Sequence, residues 1–411
     1  MMKQPGRSWS LAALLASLSM LGTFSVDVYL PAFPTIAREL DASALQLQQT
    51  LSTYMIAYAF MMLWHGSLSD ALGRRPVVLA GLVVYAIGTL GCAIAGNIES
   101  LWLFRTIQGL SAGSGLVVGR AIIRDRFHGA EAQRLMSQIT MVFGIAPALA
   151  PVVGGTVLNL LGWRAIFWVL LILVVAMLWW TATRLPESLP IAQRQPLRPR
   201  PLWHNYTSVL TRVDFLLLAA MTACNFGAFF TYIAAAPTFL IDRLGVTTLG
   251  FAWLFLPMIG GVMLGAYISG RLAGRRSPWR TIQLGYAIIF TGVVVNIAVS
   301  FLLPPRPIWN VAPIFIFTIG SSIVFPSVTL LLLDLFPTMR GLASSLQGFV
   351  QFALGAIDAA VIAPLLAQSL QSLALGMAGF ALASVAAWRA FCRRNPTGPR
   401  QCPNSNFPHR T

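Results

Sequence analysis

Apolar residues fall into twelve long runs: Leu11–Phe33, Leu45–Leu68, Val77–Ala95, Leu101–Ile123, Leu135–Leu160, Trp163–Thr183, Phe215–Leu240, Gly250–Gly270, Thr281–Leu303, Ile308–Leu333, Leu342–Ala367 and Leu373–Phe391. A helix rises about 1.5 Å per residue, so roughly 20 apolar residues cross a hydrocarbon core about 30 Å thick. The runs meet that length, and the pattern predicts an all-α integral membrane protein with twelve transmembrane helices. The first run exceeds the roughly 7–15 residues of a signal-peptide core and shows no obvious cleavage site. Polar positions gather between the runs. The sharpest cluster is Gly66-Ser-Leu-Ser-Asp70-Ala-Leu-Gly73-Arg74-Arg75-Pro76, a very short charged turn between the second and third runs.

Basic residues orient the runs. With the N-terminus placed in the cytoplasm, 23 of the 28 Lys and Arg residues fall in cytoplasmic segments. Four, Arg38, Arg164, Arg243 and Arg306, fall on the other side, and Arg105 is assigned to a span, with Arg120, Arg164 and Arg389, near the ends of their runs, counted with the adjacent connections. This asymmetry fits the positive-inside rule and predicts that both termini are cytoplasmic. The longest connection begins at Arg184 and holds Pro186, Pro190, Pro196, Pro199 and Pro201. Such proline density predicts an extended, flexible linker, with Trp203-His-Asn-Tyr206 as an aromatic anchor at the membrane surface. The expected organisation is a six-helix half over residues 1–183, a linker over 184–213, a second half over 214–392 and a tail over 393–411. The halves repeat weakly, Gly73-Arg74-Arg75 matching Gly274-Arg275-Arg276. Two pseudo-symmetric six-helix bundles place a binding site near the membrane midplane.

Composition agrees: 57% of residues are hydrophobic and 10% are charged, against about 25% charged in soluble proteins. The net charge of +16 does not mark a nucleic-acid binder, because the arginines sit in short loops between apolar runs. The four cysteines and four histidines form no metal-type spacing. No phosphate-cradling G-x-x-x-x-G-K-[ST] loop occurs, so ATP is not expected as the direct energy source. No soluble catalytic domain or nucleophile–base pairing points to an enzyme.

Charge inside the runs is the candidate chemistry. Asp27 lies about 10 Å below the outer end of the first run, with Pro31 and Pro34 loosening the helix beyond it. Buried acids in spans face polar interiors, although a carboxylate can also snorkel to the edge. Arg105 lies at a similar depth in the fourth run, so an Asp27–Arg105 pair is expected, either as a coupling switch or as a structural ion pair. Gln108, one turn on, shares its face. In the fifth run, Gly144, Pro147, Pro151, Gly154 and Gly155 predict a bend with close packing, either static or functional. Asp358, deep in the eleventh run, reads equally as a second carboxylate for proton or substrate and as the lining of a vestibule. Tyr29, Gln108, Asn225, Tyr232 and Asp358 are the cavity candidates. Asp334 and Arg340 read as a surface pair, and His65 as structural.

These residues carry a family likeness. Gly66-x-x-x-Asp70-x-x-Gly73-Arg74-Arg75-Pro76 resembles motif A of the major facilitator superfamily, and Arg105-x-x-Gln108-Gly109 its motif B. The glycine and proline pattern of the fifth run resembles the family's antiporter motif. Asp27-Val-Tyr-Leu-Pro-Ala-Phe-Pro34 and the segment from Asp334 to Ser345 are similar to Bcr/CflA-type drug-resistance transporters. The resemblance implies proton-driven efflux of small drug-like molecules across the bacterial inner membrane by alternating access. It implies Asp27 as the proton-binding acid and Arg105 as its modulator. It implies a gate of Asp70 and Arg74, with Asp70 facing the start of the eleventh helix near Gly341. Two residues depart from the family pattern: Arg271 stands where Asp70 falls in the first half, and Asp358 has no place in it. The same fold also suits a proton-coupled importer or exporter of a nutrient or metabolite such as a sugar, nucleoside or amino acid. The expected partners are a small-molecule substrate, the proton and the lipid bilayer. The chain is expected to be a monomer, with no cofactor, metal or nucleic acid.

Overall fold

A computed structural model describes residues 5–236, 238–245 and 252–395. The apolar runs become the spanning helices α1 (Pro5–Asp27), α2 (Ala44–Leu72), α3 (Arg74–Ala93), α4 (Ile98–Ala112, resuming as Ser114–Arg126), α5 (Gly129–Leu161) and α6 (Trp163–Arg184). After the linker come α7 (Val213–Ala234), α8 (Ala252–Leu272), α9 (Pro278–Leu302), α10 (Pro307–Asp334), α11 (Arg340–Ile357, continuing as a π turn Asp358–Ile362 and a last turn Ala363–Leu366) and α12 (Leu370–Arg394). The start of the eighth run and residues 396–411 of the tail lie outside the described residues.

Local chemistry sets the boundaries. Ser43 opens α2 with a reciprocal cap: its hydroxyl accepts from Gln46 N at 3.2 Å, and Gln46 Oε1 accepts from Ser43 N at 2.9 Å. The passages from α2 to α3 and from α5 to α6 turn on single glycines, Gly73 (φ 106°) and Gly162 (φ 82°). Backbone of that hand suits a residue without Cβ. The prolines after α1 act as expected: the helix stops at Asp27, and a 3-10 turn over Leu30–Ala32 leads into a short helix, Phe33–Glu39. Among the described residues, eight helices are long and apolar enough to cross a membrane by length and composition alone. The others, α2, α4, α5 and α11, carry most of the polar and small residues singled out above.

The chain forms two compact units. The first comprises Met1–His128, Leu135–Thr207 and Leu333–Ala353; the second comprises Gly129–Arg134, Ser208–Leu332 and Leu354–Thr411. In the first unit α4 packs against α2 and α3, and α3 against α6. In the second, α12 packs against α7 and α9. The beginning of α11 therefore belongs to the first unit, which matters for the site.

Two expectations are corrected. The linker is no free extended strand: it forms a turn at Ile191–Gln193 and a helix at Pro199–Leu210, and it is pinned to α2. Gln195 N donates to Asp70 O at 2.9 Å, Tyr206 donates to Leu63 O, and Ser67 Oγ donates to Tyr206 Oη at 3.1 Å. Its prolines forbid one long helix, but the polar groups between them still find partners. Trp203 is exposed, whereas Tyr206 turns inward against Trp64. Arg120, assigned to a connection, is instead buried in the second segment of α4, which continues to Arg126.

Candidate functional site

The first constellation centres on Arg105, fully buried in α4. Its Nη1 donates to Gln108 Oε1 at 2.9 Å and to Ser25 Oγ at 3.3 Å. Its guanidinium lies over the rings of Tyr54 at 4.2 Å and Tyr29 at 4.8 Å. Gln108 is fixed in turn, donating through Nε2 to Thr89 Oγ1 at 2.7 Å. Tyr54 donates to Gly22 O at 2.8 Å, and Tyr29 shares a hydrogen bond with Thr50. Two ring faces and two oxygen acceptors thus replace much of the water that the cation has lost. Nε and Nη2 of Arg105 have no hydrogen-bond partner among the described residues.

Asp27 does not join this network, contrary to the expected pair. Ser25 faces Arg105, and Asp27 follows two residues later. Helical residues two apart point about 200° apart, so the carboxylate is carried to the other side of α1. Asp27 is half-buried and makes no hydrogen bond or ion pair among the described residues.

The second constellation is the turn after α2. Asp70 and Arg74 are both buried, at 2% and 1% exposure. Arg74 Nη1 donates to Asp70 Oδ1 at 2.5 Å and to Ser69 Oγ at 2.7 Å. Asp70 also accepts from the first amides of α11: Gly341 N at 3.1 Å and Leu342 N at 2.8 Å. A helix leaves these amides without internal partners, and its dipole favours an anion there. Gly66 N donates to Ser345 Oγ at 2.8 Å, and a Cβ on Gly66 would run into the Gly341 carbonyl. The α2 and α11 backbones therefore meet through two glycines.

Asp125, at the end of α4, ties this latch together. It accepts from Arg74 Nε at 2.9 Å and from Arg340 Nη1 at 2.8 Å. The expected Asp334–Arg340 pair is replaced, because Arg340 turns to Asp125 while Asp334 pairs with Arg124. Glu187 of the linker accepts from Arg74 N at 3.0 Å and Arg75 N at 3.2 Å, capping α3 where Gly73 offers no side chain. Arg75 itself donates to Ala182 O at 2.7 Å.

The remaining candidates are dispersed. α5 stays helical through both of its prolines. A Cβ on Gly154 would strike the Val28 carbonyl, so α5 lies directly on the backbone just beyond α1, while Gly155 faces open space. Gly144 and Pro151 are half-buried, and the side chain of Pro147 lies outside the described residues. In the second unit Tyr232 accepts from Asn296 Nδ2 at 2.7 Å. Asn225 is buried, and its Oδ1 has no partner among the described residues. Asp358 is buried beside Thr231. Ser25, Tyr54, Thr89, Asp125, Glu187 and Ser345 complete these two constellations without having stood among the candidate site residues. The one signal available was Asp125, an acid set between Arg124 and Arg126.

Buried charge of this kind, among helices long and apolar enough to cross a membrane, marks a multi-pass membrane protein. The chain belongs to the Major Facilitator Superfamily, whose family model matches residues 14–359. It is 29% identical to the bicyclomycin resistance protein homolog of Haemophilus influenzae over 96% of this chain and 99% of that one. It is 30% identical to a chloramphenicol resistance protein of Pseudomonas aeruginosa over 77% of this chain and 75% of that one. Its fold matches the proton:xylose symporter XylE with a TM-score of 0.74 at 15% identity, covering 94% of this chain and 96% of that one. At that identity the structural match speaks for the twelve-helix fold alone.

Proposed function

We propose that this protein exports small drug-like molecules across a bacterial inner membrane by alternating access, in exchange for protons, with both termini in the cytoplasm. The observation that carries the coupling is Asp27, a carboxylate inside a membrane span with no cationic partner among the described residues. An ionised acid in that setting is costly, and a proton removes the cost. Arg105, in the same unit and held by its own network, leaves the acid free of a permanent cationic partner. The Asp70 and Arg74 latch acts as the cytoplasmic gate. Resistance proteins among the relatives support a drug as cargo. Each inward proton contributes about 2.3 kcal/mol per 100 mV of potential.

The test is growth of an efflux-deficient bacterium carrying the chain, across a panel of antibiotics, beside the Asp27→Asn variant. The expected result is resistance to at least one compound with the parent chain. The variant should lose it at equal membrane abundance. Full resistance with Asp27→Asn would remove the assigned role of this acid.

A further inference from the structure

Asp358 has no part in the reading above, yet its surroundings are specific. The α-helical part of α11 ends at Ile357, and a π turn takes over at Asp358 itself. Such turns inside spans are uncommon and concentrate at functional positions. The carboxyl is fully buried. Its partner is the Thr231 hydroxyl on α7, at 2.9 Å from Oδ1 and 3.1 Å from Oδ2. The same hydroxyl stands 2.9 Å from Gly227 O.

Counting protons decides between the two states of this acid. The Thr231 hydroxyl has one proton and faces two acceptors. With Asp358 ionised, that proton serves either the carboxylate or the Gly227 carbonyl, and the contact to the other group is left without a hydrogen. With one proton added, both are filled: the Asp358 O–H donates to Thr231 Oγ1, and the Thr231 O–H donates to Gly227 O. No other bond forms or breaks. The charged and titratable groups on the elements packed around it are engaged elsewhere. On α7, Asp214 lies at the far end with Arg394, Cys224 lies nearly two turns before Thr231, and Tyr232 is held by Asn296. The turn Ala363–Leu366 has no titratable group, α12 has none before Arg389, and Arg243 donates to Ala367 O beyond the π turn.

We propose that Asp358, with Thr231 as its hydrogen-bond partner, is a second proton-binding site, separate from Asp27 and held within the second unit. Full burial and one hydroxyl ligand suit a proton. A metal cation requires several oxygen ligands, and an organic cation requires open surface. That the site loads and empties during transport rests on the proton-coupled reading of the protein. Binding of the proton does not.

The test is infrared difference spectroscopy on the purified full chain between mildly acidic and neutral buffer, in the carbonyl-stretch region of protonated carboxylic acids. The expected result is a band that Asp358→Asn removes and Asp27→Asn leaves. Thr231→Val, which keeps the acid but removes the oxygen that accepts its proton's hydrogen bond, should move that band to higher frequency; it also serves if Asp358→Asn does not fold. A spectrum unchanged in Asp358→Asn and in Thr231→Val overturns the proposal. So does a band that responds to sodium chloride at constant pH. Export that proves independent of protons would sink the coupling while leaving this band in place, so the two readings fail separately.

Discussion

Arg105 shows how two residues of sequence can redirect chemistry. An arginine and an acid counted to matching depth predict a pair, and a count of residues along a run is legible. Which face of α1 meets α4 was not, because a shift of two residues swings a side chain to the opposite side. Ser25 takes the place expected of Asp27. The cage of Tyr29 and Tyr54 was equally hidden, since an aromatic in an apolar run gives no sign that a cation lies on it. Arg105→Lys is therefore not conservative: an ammonium cannot lie flat on two rings while reaching Gln108 and Ser25. We expect this variant to lose most transport activity and, from cation–π contacts worth about 0.5–2 kcal/mol each, to melt a few degrees lower. Melting of purified protein and resistance at matched expression check the two parts. A variant equal to the parent in both would show that the cage does no more than fill space.

At the scale of elements, helix ends were legible to within six residues, because a membrane span must be long and apolar. The latch was legible in half. Asp70 and Arg74 stand in the turn motif and Gly341 came with the family resemblance, but Ser345 one turn beyond Gly341, and Asp125 and Glu187 on two other segments, are connected to it by no local pattern. The linker misled for a similar reason: proline density reports backbone stiffness and is silent about what the intervening groups bind. Asp70→Asn removes the charge from bonds to two helix-start amides, each charge-assisted bond being worth about 1.5–3 kcal/mol. The expected outcome is slower turnover with substrate binding retained, seen by comparing equilibrium binding with transport rate. Gly66→Ala should act on the same contact by sterics, because the added methyl meets backbone that cannot move aside. In that variant a cysteine placed at Ser345 should react with a maleimide several-fold faster than in the parent background. Equal labelling would mean that the two helices separate freely already. Glu187→Gln leaves the side-chain bonds of Asp70, Arg74 and Asp125 intact but weakens the cap on α3, and should cost about 0.3–1 kcal/mol of stability with little change in turnover.

For the whole molecule, charge placement predicts the topology. Arginine gathers in alternate connections, so a miscounted span would have scrambled the pattern beyond it, and the helices match the count. Direction of transport is a different matter, since the same twelve helices serve exporters and importers and no residue type encodes the sign. Inverted membrane vesicles supply it. Their lumen corresponds to the outside of the cell, so an acidic lumen drives protons out into the medium. An exchanger then accumulates its substrate inside the vesicle, whereas a co-transporter empties it. With the potential collapsed and an uncharged substrate, each proton exchanged across one pH unit provides about 1.4 kcal/mol, or roughly tenfold accumulation. Asp27 alone sets a limit of about tenfold, and Asp27 with Asp358 a limit of about a hundredfold, because the proton terms add in free energy. The parent chain is therefore expected to exceed tenfold accumulation per pH unit, Asp358→Asn to fall back to about tenfold, and Asp27→Asn to accumulate nothing. Depletion of the lumen by the parent chain would reverse the assigned direction, and a parent limit of tenfold would leave Asp358 outside the transport cycle.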